Sequence, residues 1–254
     1  MIKLILIFSL FYEYNFSPSL LSGNKFSTNG KAIALVHAPS ILSPANTGMM
    51  FSFAYSNPYT ISGLNFFEGA ILKNFKKFNI GAGYNYMGTD FYREISYVLG
   101  LSLHKEGINL GFNLKYLYLY IKNTITKGVF SADAGISFNI IKPLKIGLFF
   151  LNFNSPALLS ERIYPSGSLS LSFKESKLLE SFFDLNYEGK FTSFSLAQKF
   201  YIMKNITLSA GVCNQPPVFS LSFELLFDKI NFLYSFRNHT LLGGFSSYEI
   251  DFKR

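Results

Sequence analysis

Residues 78–120 read FNIGAGYNYMGTDFYREISYVLGLSLHKEGINLGFNLKYLYLY. Three alternating runs stand in this stretch. Phe78, Ile80, Ala82, Tyr84 and Tyr86 alternate with Asn79, Gly81, Gly83, Asn85 and Met87. Ile95, Tyr97, Leu99, Leu101 and Leu103 alternate with Glu94, Ser96, Val98, Gly100, Ser102 and His104. Ile108, Leu110, Phe112, Leu114, Tyr116, Tyr118 and Tyr120 share a face opposite Asn109, Gly111, Asn113 and Lys115. A period of two gives a strand one apolar face and one polar or small face, whereas a helix would scatter these residues around its circumference. The apolar face can meet a protein core or lipid, and the rest of the chain decides between them.

Working outward, strand signals recur at 48–57, 64–73, 78–88, 93–104, 108–122, 129–141, 145–154, 167–174, 178–188, 191–201, 205–213, 217–227, 229–236 and 243–252. A tilted transmembrane strand needs about 9–11 residues, close to the length of these runs. Their even number brings both ends of the sheet to one side, as a closed bacterial barrel requires. The expected fold is therefore all-β: a closed antiparallel transmembrane β-barrel of 14 strands over 48–254, preceded by a short non-barrel segment.

The composition agrees with that reading. Apolar residues make up 49% of the 254, charged residues only 15%, against ~25% charged in an ordinary soluble domain. Phe and Tyr number 30 and 16 with no Trp, and no apolar run is long enough for a helical span. The competing architecture is a soluble β-sandwich with a Phe-rich core, whose outer faces should carry more Lys, Glu and Asp. The net charge of +8 suggests nucleic acid, but the basic residues do not cluster among stacking aromatics. They cluster by strand parity instead. Lys73, Lys76, Lys77, Lys105, Lys142, Lys145, Lys174, Lys177, Lys204 and Lys229 follow even-numbered strands. Longer connections rich in Pro, Asn and aromatics, such as NSPALLSERIYPSG (154–167), follow odd-numbered ones. Alternate connections of an up-and-down barrel lie on opposite sides, so the lysines share one rim. Short turns face the periplasm and longer loops the outside, which puts the lysine rim in the periplasm. Lysine there can snorkel to the head groups of outer-membrane lipids.

Residues 1–22 have a basic start at Lys3 and an apolar stretch from Leu4 to Tyr12, the form of a signal peptide. Residues 23–47 do not alternate, carry Pro39 and Pro44, and read as a plug or periplasmic segment. Phe245–Phe252 alternates Tyr248, Ile250 and Phe252 against Ser247, Glu249 and Asp251, as terminal strands of exported barrels do, although Lys253 and Arg254 follow.

Catalytic, cofactor and metal sites are not expected. His37, His104 and His239 lack ligand spacing, and the single Cys213 supports neither a disulfide framework nor a cysteine metal site. No Gly-x-Ser-x-Gly elbow occurs, and Gly81, Gly83 and Gly88 do not open a helix as a phosphate loop would. With the aromatic face toward lipid, Glu94, Asn109, Asn113, Lys115, Ser131 and Asp133 become candidates for the lumen. A charge there needs a partner, which places Lys115 near Asp133 or Glu94. These residues could set selectivity or simply fill the interior with hydrogen bonds. Asp90, Arg93 and Glu94 are candidates for an ion pair holding an external loop.

Several segments in order resemble outer-membrane barrels of the FadL-like superfamily, and within it the PorV/PorQ-type group. They are GKAIALVHAPSILSPANTG (30–48), FAYSNPYTISGLNFFEGA (53–70), IGAGYNYMGTDFYREISYVLGLSL (80–103) and DLNYEGKF (184–191). The first looks like a shortened form of that family's N-terminal segment, with its Asn-Pro-Ala-Gly motif altered to Ser43-Pro44-Ala45-Asn46. The FadL branch implies passage of hydrophobic or amphipathic small molecules across the bacterial outer membrane. The PorV branch implies service to protein-secretion machinery and envelope assembly.

Overall fold

The computed structural model describes residues 48–254 apart from 58–63, 76, 159–160, 189–190, 215–216, 240–242 and 254. The signal peptide expected over 1–22 and the segment 23–47 lie outside the described residues. Strands run as β1 (Gly48–Asn57), β2 (Asn65–Asn74), β3 (Phe78–Gly88), β4 (Tyr92–Lys105), β5 (Ile108–Ile121), β6 (Ile125–Ile141) and β7 (Leu144–Leu151). Two short strands follow, β8 (Ala157–Leu158) and β9 (Glu161–Arg162). The chain continues as β10 (Ser166–Lys174), β11 (Leu179–Glu188), β12 (Phe191–Met203), β13 (Ile206–Asn214), β14 (Pro217–Phe227), β15 (Ile230–His239) and β16 (Gly243–Lys253). All but β8 and β9 form one closed antiparallel barrel of 14 strands, sealed where β1 pairs with β16 in the register Phe51↔Phe252 and Phe53↔Ile250.

Alternation decides which face is which. Ile80, Tyr97, Leu99, Phe112 and Leu114 are exposed on the outer wall, and so are Phe200, Leu221, Phe232 and Tyr248 on the far side. Their neighbours Asn79, Ser96, Asn113, Lys115, Ser222, Ser235 and Ser247 are buried inside. The barrel is thus apolar outside and polar inside, the reverse of a soluble sandwich. Soluble monomers rarely expose more than a few hundred Å² of contiguous apolar surface, and a whole wall of it is made for hydrocarbon. Cross-strand ring pairs tile that wall, among them Tyr84–Tyr97, Tyr116–Phe130 and Tyr234–Tyr248, with centroids 5.4, 5.1 and 5.3 Å apart.

The connections fall on two rims. One holds the tight turns and the exposed Lys73, Lys77, Lys105, Lys142, Lys174, Lys177, Lys204 and Lys229. Its turn between β4 and β5 is a two-residue hairpin at Glu106-Gly107, both with positive φ (47° and 84°). That is the type I′ geometry whose twist suits a hairpin, and Gly107 adopts it without strain. The other rim holds the residues between β3 and β4, β5 and β6, and β7 and β10. Most boundaries lie within one or two residues of those expected, β15 runs on to His239 and not 236, and two further shifts bear on the connections. Strand β6 starts at Ile125, not 129, so Lys122–Thr124 alone makes the turn, with Asn123 at φ 60°. Strand β7 ends at Leu151, not 154, for a reason that belongs to the lumen.

Candidate functional site

The inner wall of β4–β7 gathers four of the six lumen candidates. Register sets Asn113 opposite Asp133 and Lys115 opposite Ser131. The Lys115 ammonium lies 2.6 Å from Asp133 Oδ1, with the two side chains 2% and 0% exposed. A buried ion pair needs further hydrogen bonds to offset lost hydration. Here they come from Asn152. Lys115 Nζ and Ser131 Oγ both donate to Asn152 Oδ1, at 2.8 and 2.7 Å. The Asn152 N–H donates to Asp133 Oδ1 at 2.9 Å, and Asn113 Nδ2 donates to Asp133 Oδ2 at 3.5 Å. Asn109 sits apart, nearer the lysine rim, donating to Ser137 Oγ at 3.0 Å. Glu94 is buried toward the other rim, paired in register with Leu119.

Asn152 is the member that sequence reasoning missed. Through β7 the register runs Gly135↔Phe149 and Ala134↔Phe150, which would bring Asn152 opposite Ala132. Instead Phe153 N–H donates to Ala132 O at 3.0 Å, one residue out of step. Asn152 is the extra residue, a bulge with φ 51°, a conformation Asn tolerates better than most side chains. The bulge turns inward a side chain that alternation would have sent outward. Beyond it, Asn154 prolongs the ladder with its side chain: Oδ1 accepts from Ala132 N–H at 3.0 Å, and Nδ2 donates to Phe130 O at 3.1 Å. The local pattern Leu151-Asn-Phe-Asn gives no sign of the bulge, because the carboxylate that satisfies it belongs to Asp133 on another strand.

Above the ionic group the wall becomes apolar. Leu117 and Leu119 follow Lys115 on the inner face of β5, and both are buried. They pack with Leu158 of β8 and Ile163 just after β9, flanked by Tyr92, Ile121 and Val129. Since Leu117 and Leu119 point into the barrel, Leu158 and Ile163 must lie inward over the mouth to reach them. The hairpin is closed by Ala157↔Arg162 pairing and an Ile163 N–H to Pro156 O bond of 2.9 Å. The Tyr92 hydroxyl, buried beside this cluster, has no hydrogen-bond partner among the described residues. The signal for this patch was present: Leu117 and Leu119 break an otherwise polar inner face, and Leu158 and Ile163 are apolar residues in a loop.

The ion pair expected among Asp90, Arg93 and Glu94 does not hold the 89–91 turn. Consecutive residues on a strand face opposite ways. Glu94 is therefore buried inside while Arg93 lies outside, its guanidinium 5.5 Å from the Tyr120 ring. Asp90 is exposed on the turn. The turn is held instead by Thr89, whose N–H donates to Tyr92 O at 2.7 Å and whose Oγ1 accepts from the N–H groups of Phe91 and Tyr92 at 3.2 and 3.3 Å. Gly88 lets the strands approach there, since a Cβ would run into Tyr92 O.

A second polar group lines the opposite wall near the lysine rim. Lys199 Nζ meets Glu224 Oε2 at 2.7 Å, and Asn231 Nδ2 bridges Glu224 Oε1 and Asp251 Oδ2 at 2.9 and 3.4 Å. Ser52 Oγ donates to Glu249 Oε1 at 3.2 Å across the closing seam. Among the described residues, buried carboxylates (Glu94, Asp133, Asp184, Glu224, Glu249, Asp251) outnumber buried ammonium groups (Lys115, Lys199). Among the fully buried side chains of the described residues, acid therefore exceeds base. No three His, Cys, Asp or Glu among the described residues converge as metal ligands.

No protein-family model matches the chain, and no curated protein matches it in sequence. Solved structures do match in shape. The Pseudomonas putida toluene transporter TodX superposes with a TM-score of 0.62 at 10% identity, covering 87% of this chain and 93% of its own. The Ralstonia pickettii toluene transporter TbuX gives 0.60 at 7% identity, covering 90% and 97%. The monoaromatic hydrocarbon channel CymD gives 0.56 at 13% identity, covering 91% and 95%. The chain thus has the barrel fold that these hydrocarbon channels share.

Proposed function

We propose that the chain is a bacterial outer-membrane barrel that passes hydrophobic or amphipathic small molecules. The observation that carries this reading is the buried apolar patch Leu117, Leu119, Leu158 and Ile163 on the inner side of one mouth. A barrel that served only hydrophilic solutes has no use for apolar side chains there. The Tyr92 hydroxyl beside the patch offers one hydrogen bond to the polar end of an amphipathic molecule. The shared fold with channels for toluene and monoaromatic hydrocarbons supports the same reading. In this orientation the lysine rim faces the periplasm, where the tight turns belong, and the mouth with the patch faces outward. The resemblance to the FadL-like superfamily points the same way.

Uptake of labelled fatty acids and small aromatics by cells with and without the gene tests the proposal, together with the purified barrel in planar bilayers. Slower uptake in the deletion strain is the expected result. Unchanged uptake, with the barrel recovered in a large envelope complex, would sink it in favour of a secretion or assembly accessory.

A further inference from the structure

We infer that residues 152–158 and 161–165 form a constriction folded into the mouth, and that Asn152 is the latch that holds it on the buried Lys115–Asp133 pair. The inference deepens the transport reading and rests on the barrel having a mouth through which solutes pass. It starts from an asymmetry. Neighbouring connections on the same rim are short: Lys122–Thr124 spans three residues and the 89–91 turn is closed by its own Thr89. The connection after β7 is far longer and brings Leu158 and Ile163 inward.

Three contacts determine its path, and each uses Asn152 or the residues next to it. The bulge takes the chain out of the β7 ladder at φ 51°. The Asn152 N–H and Oδ1 then hold opposite members of one ion pair, the N–H on Asp133 at 2.9 Å and the Oδ1 under Lys115 at 2.8 Å. A turn follows at once, with the Ser155 N–H donating to Asn152 O at 2.8 Å. From there the chain reaches Leu158 and Ile163, which press on Leu117 and Leu119 two and four residues above Lys115 on the same strand. The ionic group and the apolar seat are therefore stacked on one inner stripe of β5. The first fixes where the segment leaves the wall, and the second is where it lands.

This arrangement suits a constriction that yields. The landing contact is apolar and non-directional, so an apolar solute can replace Leu158 and Ile163 against Leu117 and Leu119 at little cost. The latch is directional and charge-assisted, so it keeps the root of the segment in place while Leu158 and Ile163 leave their seat. Lys115, Asp133 and Asn152 are thus positioning residues: they touch the segment and not the solute.

The test reads the position of the segment directly. Leu158→Cys is placed in a Cys213→Ser background, and its reaction with a water-soluble maleimide is timed on the full-length barrel in outer-membrane vesicles. Protection is expected, because Leu158 is buried. Adding Asn152→Gly keeps the positive-φ backbone and removes only the side-chain acceptor. Labelling should then quicken by about tenfold or more, since hydrogen bonds to charged groups are the stronger class. Unchanged labelling in a barrel that still shows its heat-dependent gel shift would overturn the latch. A second measurement replaces 155–164 by a short glycine turn and records unitary conductance in planar bilayers. The conductance should rise from wild type to Asn152→Gly to the deletion. A deletion that conducts no better than wild type would overturn the constriction. Loss of hydrocarbon uptake plays no part in either readout, so the transport reading can fail while the latch stands, and the reverse.

Discussion

A lysine ammonium and an aspartate carboxylate taken out of water lose several kcal/mol of hydration each, and their attraction repays it only with good geometry and further hydrogen bonds. Lys115 and Asp133 have both, through Asn152, Ser131 and Asn113. Removing one partner strands the other. Lys115→Met should therefore lower the barrel's unfolding free energy by about 3–5 kcal/mol, and the double change Lys115→Met/Asp133→Leu by distinctly less. Urea titrations in detergent micelles followed by tryptophan-free far-UV signals would read both. Equal losses would mean that the pair contributes only as two independent side chains. Tyr92 makes the opposite case: its hydroxyl has no partner among the described residues, so Tyr92→Phe should leave stability unchanged or slightly raised. Any loss of uptake in that variant belongs to a solute and not to the fold. The charged members of this site were legible in the sequence because a buried charge has to find its opposite, and only Asp133 and Glu94 stood on suitable faces. Asn152 was not legible, since nothing in its own neighbours announces a bulge.

At the level of the strand, period-two alternation carried nearly all the information. Strand β5 shows why: Ile108 to Leu114 face outward on even positions, Asn109 to Lys115 inward on odd ones, and no other periodicity fits. Two of the shifted boundaries, the start of β6 and the end of β7, have local and non-local causes. Thr126 and Gly128 made the start of β6 read as a turn, although Gly128 is paired with Tyr118 in a regular ladder. The end of β7 is decided by Asp133 of β6. The same alternation gives a sharp mutational expectation. Leu114 is 43% exposed on the outer wall, well inside the length of β5. Leu114→Arg should cost roughly 2–4 kcal/mol in bilayers if it meets the hydrocarbon midplane. The same Arg at the Leu103 end of β4, beside the lysine rim, should cost about 0–1 kcal/mol. Similar penalties at both depths would contradict a membrane-spanning wall.

The whole barrel adds two properties that no strand has alone. Its inner wall carries the acidic surplus, six buried carboxylates to two lysines among the described residues. If ions pass, cations should pass more readily than anions, and the reversal potential across a KCl gradient measures this directly; anion preference would show that another part of the chain dominates the pore field. The other property is closure. The strand count, its parity and the segregation of lysines to one rim were legible from the order of runs and turns, whereas the inward seating of Leu158 and Ile163 was not, because it depends on the surface offered by β5. Closure also carries a kinetic consequence. Most seams of the barrel join strands adjacent in the chain, but the last one joins β1 to β16, and its Ser52–Glu249 hydrogen bond spans 197 residues. Contacts so distant form late, because the loop entropy must be met before they can contribute. Until that moment both terminal strands are bare edges, with their backbone donors and acceptors open to any other strand. The barrel is therefore most vulnerable to aggregation just before β1 and β16 pair, and a truncation removing β16 should yield misassembled protein and not a thirteen-stranded barrel.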